Sequence, residues 1–252
     1  MGSSSRGGPT PLRVLCLGDS LTGGYPPSHP YAGRLTERLE AAFPTHQVDV
    51  DVDGVPGEMV TGGRFARRAR ALWRDAKYDW TVVLGGTNDL GWRHPAAEVL
   101  QELEKVWDVP LSKGGKVLAL TVPETRQKSE TLDEARKTVN DGIMACKKQN
   151  VHTYDLHGAV PYHSMPPQDR PKYWNMDGVH FTEAGYDLIG DKVADGLIKI
   201  LHLEEAQATD ISSIVSDARQ RKMIEDLIFE EERGNPKLLS QGYIVVRKRD
   251  LD

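Results

Sequence analysis

A hydroxyl, an amide and a carboxylate–imidazole pair are the side chains whose placement in this sequence could do chemistry. Ser20 follows the apolar run Val14-Leu15-Cys16-Leu17 through Gly18 and Asp19. That places a hydroxyl on a tight turn at the carboxyl end of a buried strand, where ligand chemistry in open parallel α/β sheets collects. Asn88 has the same setting, in Leu84-Gly85-Gly86-Thr87-Asn88-Asp89. An amide there can donate a hydrogen bond to a developing oxyanion, and the glycines let a substrate come close to the backbone. Asp177 and His180 stand three apart in Asn175-Met176-Asp177-Gly178-Val179-His180. In a turn, that spacing brings a carboxylate to one imidazole nitrogen and leaves the other free, as a general base requires. Each segment also has a plainer reading, because Gly, Asp, Ser and Asn are ordinary turn residues.

These residues need a scaffold, and the hydropathy pattern supplies one. Apolar runs alternate with helical periods, the signature of a parallel sheet covered by helices. Strands are predicted over residues 12–17, 48–52, 80–84, 116–122 and 151–154, and helices over 31–43, 63–76, 96–111, 131–149 and 182–201. The helix from 131 carries a capping-box pattern, Thr131 with Glu134. Leu132, Ala135, Val139, Ile143 and Cys146 then recur at helical spacing, as do Tyr186, Ile189, Val193, Leu197 and Ile200 on the last helix. No internal repeat is found.

The 252 residues suffice for one domain with a sizeable core and an appendage. A formal charge of −5 argues against a nucleic-acid binder, which usually shows a basic face. No run approaches the roughly 18 apolar residues of a membrane span. The start, Met1-Gly2-Ser3-Ser4-Ser5, lacks the apolar stretch of a secretory signal and reads as a flexible lead. Two cysteines make no disulfide framework; Cys16 and Cys146 read as small buried hydrophobes, and a cytoplasmic setting is expected.

Taken together, the three segments resemble the SGNH, or GDSL-type, serine hydrolase family over residues 12–201, in the family's order. Gly18-Asp19-Ser20-Leu21 is similar to its first block, Gly86-Thr87-Asn88-Asp89 to its third, and Asp177-Gly178-Val179-His180 to its last. The resemblance implies Ser20 as nucleophile, His180 as base and Asp177 as its carboxylate partner. It implies an oxyanion hole from the Ser20 backbone N–H, the Asn88 side chain and a glycine after the second strand. Val52-Asp53-Gly54-Val55-Pro56-Gly57-Glu58 offers two such glycines, Gly57 being preferred and Gly54 the alternative. It also implies a three-layer α/β/α, flavodoxin-like domain with a five-stranded, mostly parallel sheet. The expected organisation is a lead over residues 1–11, the hydrolase domain over 12–203 and a charged extension over 204–252.

The expected function is hydrolysis of small or short-acyl esters, acetylated sugars among them, with a small-molecule ester as partner and without metal or cofactor. An acyltransferase using the same site and a non-catalytic binding module are the alternatives. Intact Ser20, Asn88, Asp177 and His180 argue against the last. His29, His94, His157 and His163 are rival histidines on loops, and Asp19 and Asp89 read as turn-capping carboxylates. Tyr25, Trp92, Tyr173 and Trp174 flank the motifs as aromatic walls for a substrate or as core packing. The basic stretch from Arg64 to Arg70 reads as a solvated helix face. In the extension, Ile211, Ile214, Val215, Ala218, Leu227 and Ile228 form a partial helical stripe ended by Gly234-Asn235-Pro236, with a short strand at residues 243–246. It packs on the core or serves as a homo-oligomerisation arm.

Overall fold

The computed structural model describes residues 8–26 and 28–233, with side chains up to residue 208. Most of the expected lead, the side chains of the expected apolar stripe from Ile211 to Ile228, the expected stop at Gly234-Asn235-Pro236 and the strand predicted at residues 243–246 lie outside the described residues. Five strands form one sheet: β1 (Thr10–Asp19), β2 (His46–Val55), β3 (Trp80–Leu84), β4 (Lys116–Leu120) and β5 (Val151–Tyr154). Their order is β2-β1-β3-β4-β5 and all four pairings are parallel. β1 lies inside the sheet, so Val14, Leu15, Cys16 and Leu17 are fully buried. β2 is an edge strand. Its Val48, Val50 and Val52 alternate with Asp49, Asp51 and Asp53, and edge charges of this kind discourage further strand pairing.

The crossovers are α1 (Ser20–Gly23) with α2 (Ala32–Ala42), α3 (Arg64–Asp75), α4 (Thr87–Gly91) with α5 (Ala96–Leu111), and α6 (Glu130–Met144). Short helices α7 (Leu156–Ala159) and α8 (Arg170–Tyr173) precede α9 (Glu183–Arg233). Phe65, Trp73, Val99, Leu103, Val106, Trp107, Val139 and Ile143 meet Leu15, Leu17 and Val83 of the sheet in one apolar cluster. Tyr186, Ile189, Val193 and Leu197 bury the first turns of α9, whereas Ile200 is only half-buried.

Two local expectations are corrected. α6 opens at Glu130 with Ser129 as its extended N-cap, and no side-chain capping bond forms. The Ser129 hydroxyl instead meets Thr131 Oγ1 at 3.0 Å, so Thr131 lies inside the helix rather than ahead of it. The helix also stops at Met144, before Cys146. The six residues that follow must turn the chain, through Asn150 at φ +63°, to start β5 opposite Val117.

The chain divides into two compact units, Met1–Ile198 and Lys199–Asp252. The first holds the sheet and its helices. The second is helical to Arg233. Among the described residues no helix is long and apolar enough to cross a membrane.

Candidate active site

In the order β2-β1-β3-β4-β5 the crossovers from β1 run first to one side and then to the other. This leaves a crevice beyond the carboxyl ends of β1 and β3. Gly18 of β1 is level with Leu84 of β3, so the turns that follow each strand are neighbours. Ser20 opens α1. Asp19 caps that turn, its Oδ1 accepting the Leu21 N–H at 2.9 Å. Ser20 itself is 6% exposed. After β3, Gly86 takes φ +107°, a backbone conformation that a side chain would strain, and so starts α4 with Asn88 in its first turn.

His180 arrives from 160 residues away and closes on Ser20, Nε2 to Oγ being 2.9 Å. On the other side of the ring, His180 Nδ1 lies 2.7 Å from Asp177 Oδ2. A carboxylate there fixes the hydrogen on Nδ1, so Nε2 carries the lone pair that accepts the Ser20 O–H. Asp177 is held from its own turn: Oδ1 accepts the N–H groups of Val179 at 2.8 Å and His180 at 2.9 Å. Partial burial works to raise the Asp177 carboxyl. The two backbone donors and the imidazole outweigh it and leave the group below the ordinary carboxylate range. The turn is pinned in turn by Arg126, whose N–H donates to Gly178 O at 2.6 Å and whose Nη1 donates to Met176 O at 2.8 Å.

Asn88 Nδ2 donates to the Glu58 carbonyl at 2.9 Å and to Asp19 Oδ2 at 3.3 Å, which brings the amide to the Ser20 turn. Of the two glycines after β2, Gly54 is committed elsewhere. It sits in the β1 ladder opposite Gly18, and a Cβ on it would lie 2.1 Å from the Gly23 nitrogen. Gly57 stands beyond the strand at φ +73° in open space, beside the Glu58 that Asn88 reaches.

The aromatic candidates separate. Tyr25 is 54% exposed and presents its ring edge-on to His180 at 6.3 Å. Trp92 is 76% exposed and lines a cavity of about 610 Å³ together with Asn88, Asp177, Leu90, Val122, Arg126 and Arg136. Trp174, expected as a substrate wall, is instead buried at 4% exposure and packs on Phe181, ring centroids 4.1 Å apart. Its isolated bridge to Phe181 brackets the Asp177–His180 turn, so it props the loop from beneath. The rival histidines are placed elsewhere. His29 pairs with Asp187 at 2.7 Å, His94 lies 4.0 Å from Glu98, and His157 and His163 gather around Glu124.

Two residues under the site carry more than the sequence suggested. Arg68 belongs to the basic stretch read as a solvated face, and Arg64, Arg67 and Arg70 are indeed exposed. Arg68 turns inward, its side chain 16% exposed, and donates to Glu58 Oε2 at 2.9 Å, to Gly18 O at 2.8 Å and to Asp53. Asp89, expected to cap its own turn, is fully buried and accepts the N–H groups of Val60 at 2.9 Å and Thr61 at 3.0 Å. Together they tie the segment after β2 to the ends of β1 and β3. The only available signal was a charged residue adjoining a site motif or on a helix's basic run, which has no direction until the chain folds. Among the described residues, no group of three or more His, Cys, Asp and Glu side chains is arranged to hold a metal ion.

A family model described as GDSL-like lipase/acylhydrolase matches residues 16–188 of the 252. The chain belongs to that family and is a carboxylic ester hydrolase of the GDSL type. Among solved structures, it is similar to the lipase/acylhydrolase from Enterococcus faecalis at 21% identity and a TM-score of 0.59, covering 75% of this chain and 96% of that one. The psychrotrophic esterase EstA from Pseudoalteromonas sp., in a form inhibited by monoethylphosphonate, aligns at 15% identity and a TM-score of 0.61, covering 75% and 98%. The family 3 carbohydrate esterase of Clostridium thermocellum aligns at 17% identity and 0.61, covering 77% and 98%. At these identities the likeness is one of fold. No curated protein matches the sequence.

Proposed function

We propose that the protein is a serine esterase acting on small or short-acyl carboxylic esters, through Ser20, His180 and Asp177. The observation that carries this reading is the unbroken chain of hydrogen bonds from the Ser20 hydroxyl through His180 to Asp177. His180 Nε2 takes the Ser20 proton as Oγ attacks the ester carbonyl, and Asp177 stabilises the imidazolium that forms. The Ser20 backbone N–H, the Gly57 N–H and Asn88 Nδ2, which exchanges one of its two present acceptors for the substrate, hold the oxyanion, each such donor being worth about 10²–10³ in rate. Collapse of the tetrahedral species expels the alkoxide, which receives the proton from Nε2, and leaves the acyl group on Ser20. Water then attacks the acyl-enzyme with His180 again as base. The product acid departs and Ser20 regains its proton. The cavity beside Asn88 and Asp177 takes part of the substrate against Trp92, and Tyr25 stands beside His180. Acetylated sugars belong to the substrate class to be tried, since a carbohydrate esterase shares the fold.

Hydrolysis of 4-nitrophenyl acetate, butyrate and octanoate tests the reading, with Ser20→Ala alongside. Turnover by the parent that the variant lacks is the expected result, with the trend along chain length sizing the acyl site. Turnover that survives in Ser20→Ala excludes Ser20 as nucleophile. If no ester turns over and a fluorophosphonate also fails to label Ser20, the serine-esterase reading falls.

A further inference from the structure

The cavity of about 610 Å³ beside Asn88 has three charged side chains on its wall, Arg126, Arg136 and Asp177. Two of them are answered within the protein. Asp177 faces His180 at 2.7 Å, and Arg136, 3% exposed, donates to Asp133 at 3.0 Å. Arg126 is exposed, and among the described residues no carboxylate pairs with its guanidinium. The side chain is nevertheless held in place. Nη1 donates to the Met176 carbonyl at 2.8 Å, and the main-chain N–H donates to the Gly178 carbonyl at 2.6 Å. The Arg126 stem lies over Gly178 so closely that a Cβ on that glycine would stand 2.2 Å from Arg126 Cβ. With Nη1 engaged, the edge formed by Nε–H and Nη2–H is left without a partner among the described residues. Two parallel N–H groups of this kind match the two oxygens of a carboxylate. Leu90, Val122 and Leu132 on the same wall are apolar.

We propose that Arg126 is a specificity-determining residue, and that the substrate is an acid ester, whose acyl or alcohol part ends in a carboxylate received by the Nε–Nη2 edge of Arg126. One unmatched cation balances a monoanion. A phosphate monoester, at about −1.5 to −2 near neutral pH, would leave charge uncompensated in the cavity. The apolar wall takes the carbon chain between the carboxylate and the scissile carbonyl. The chain's formal charge of −5 repels anions in general, so a preference for them has to arise locally. The catalytic consequence rests on the serine-esterase reading; the carboxylate site does not.

Two matched pairs of esters test the specificity. 4-Nitrophenyl hydrogen adipate against 4-nitrophenyl methyl adipate places the carboxylate on the acyl side. 4-Acetoxybenzoate against its methyl ester places it on the alcohol side. The ratio of kcat/KM for the anionic and neutral members is compared between the parent and Arg126→Gln, so that intrinsic reactivities cancel. In one pair or both, the variant should lower that ratio about tenfold or more, the scale of hydrogen bonds to a charged group. Arg126→Lys, which keeps the charge and loses the fork, should retain part of it. The parent's ratio should also fall as salt is raised, because Arg126 is exposed. A loss in Arg126→Gln that falls equally on both members of each pair would mean that Arg126 only holds the Asp177 turn, and overturns the proposal.

A second measurement needs no turnover. Full-length ¹⁵N-labelled Ser20→Ala is titrated in mildly acidic buffer with monomethyl adipate and with dimethyl adipate. The Arg126 Nε–H signal, assigned by its loss in Arg126→Lys, should move with the monoester alone. A signal that moves no more with the monoester than with the diester overturns the proposal, whether or not Arg126→Gln folds. If the signal moves as expected and no ester is turned over by the parent, the carboxylate site stands and the esterase reading alone fails.

Discussion

His180 is useful because its two nitrogens face different partners, Asp177 at 2.7 Å and Ser20 at 2.9 Å. Replacing Asp177 with Asn leaves the shape and removes the preference for a hydrogen on Nδ1. By analogy with serine proteases, kcat should then fall about 10⁴-fold, measurable in a stopped assay. The Asp177 carboxyl is held below its ordinary range, so the interaction it makes is fully present above the unfolded carboxylate value. It is lost as pH falls through the lower folded value, so the tie between turn and ring should persist at pH 5 and weaken only in stronger acid. An Asp177-dependent change in the His180 ring signals above pH 5 would contradict this. Asp19 has the opposite sign. Its folded carboxyl, raised to about 7, makes the folded state bind a proton more tightly than the unfolded chain. That contribution is whole below the ordinary carboxylate value of 3.8 and fades as pH rises toward 7. Asp19→Asn should therefore gain Tm relative to the parent between pH 5 and pH 8. A Tm difference that does not change with pH would refute it.

At the scale of elements, the crevice beyond β1 and β3 brings the serine and the amide together, and a loop ahead of α9 delivers the imidazole. The helix that braces the crevice is α3, through one inward arginine. Arg68 satisfies Glu58, which is 9% exposed, while Glu58 lends its carbonyl to Asn88. Removing one partner of such a pair leaves an uncompensated carboxylate, a loss on the order of 3 kcal/mol. Arg68→Ala should show that loss in urea denaturation and lower kcat through the loosened Gly57–Glu58 segment. Arg67→Ala, on the exposed face of the same helix, should do neither. Equal effects from the two variants would mean that α3 acts only as a solvated basic face.

At the scale of the molecule, Ser20, Asn88, Asp177 and His180 all fall in the unit Met1–Ile198. The charged segment from residue 204 onward contributes none of the side chains assigned to the chemistry. Deleting residues 204–252 should leave ester turnover in place and change the oligomeric state read by light scattering. A monomer both before and after deletion would dispose of the oligomerisation arm.

Local pattern carried much of this. β3, β5 and α5 fall on the residues that hydropathy periodicity predicts, because buried strands and amphipathic helices write their period into consecutive residues. The end of α6 escaped that reading, since register with β5 is a tertiary constraint. Gly-Asp-Ser, Gly-Thr-Asn-Asp and Asp-x-x-His were legible as three segments, and their order pointed to the family. What the sequence by itself determined was therefore the set of elements and the identities of the chemical groups. Tertiary structure alone decided that Trp174 packs beneath the loop, that Gly54 is committed to the approach of two backbones, and that Arg68 turns inward. The same holds for Asp19 and Asn88, which share a hydrogen bond across 69 positions. Periodicity reports which face of an element is buried. It does not report which distant side chain waits there, because that depends on where separate strands end in space.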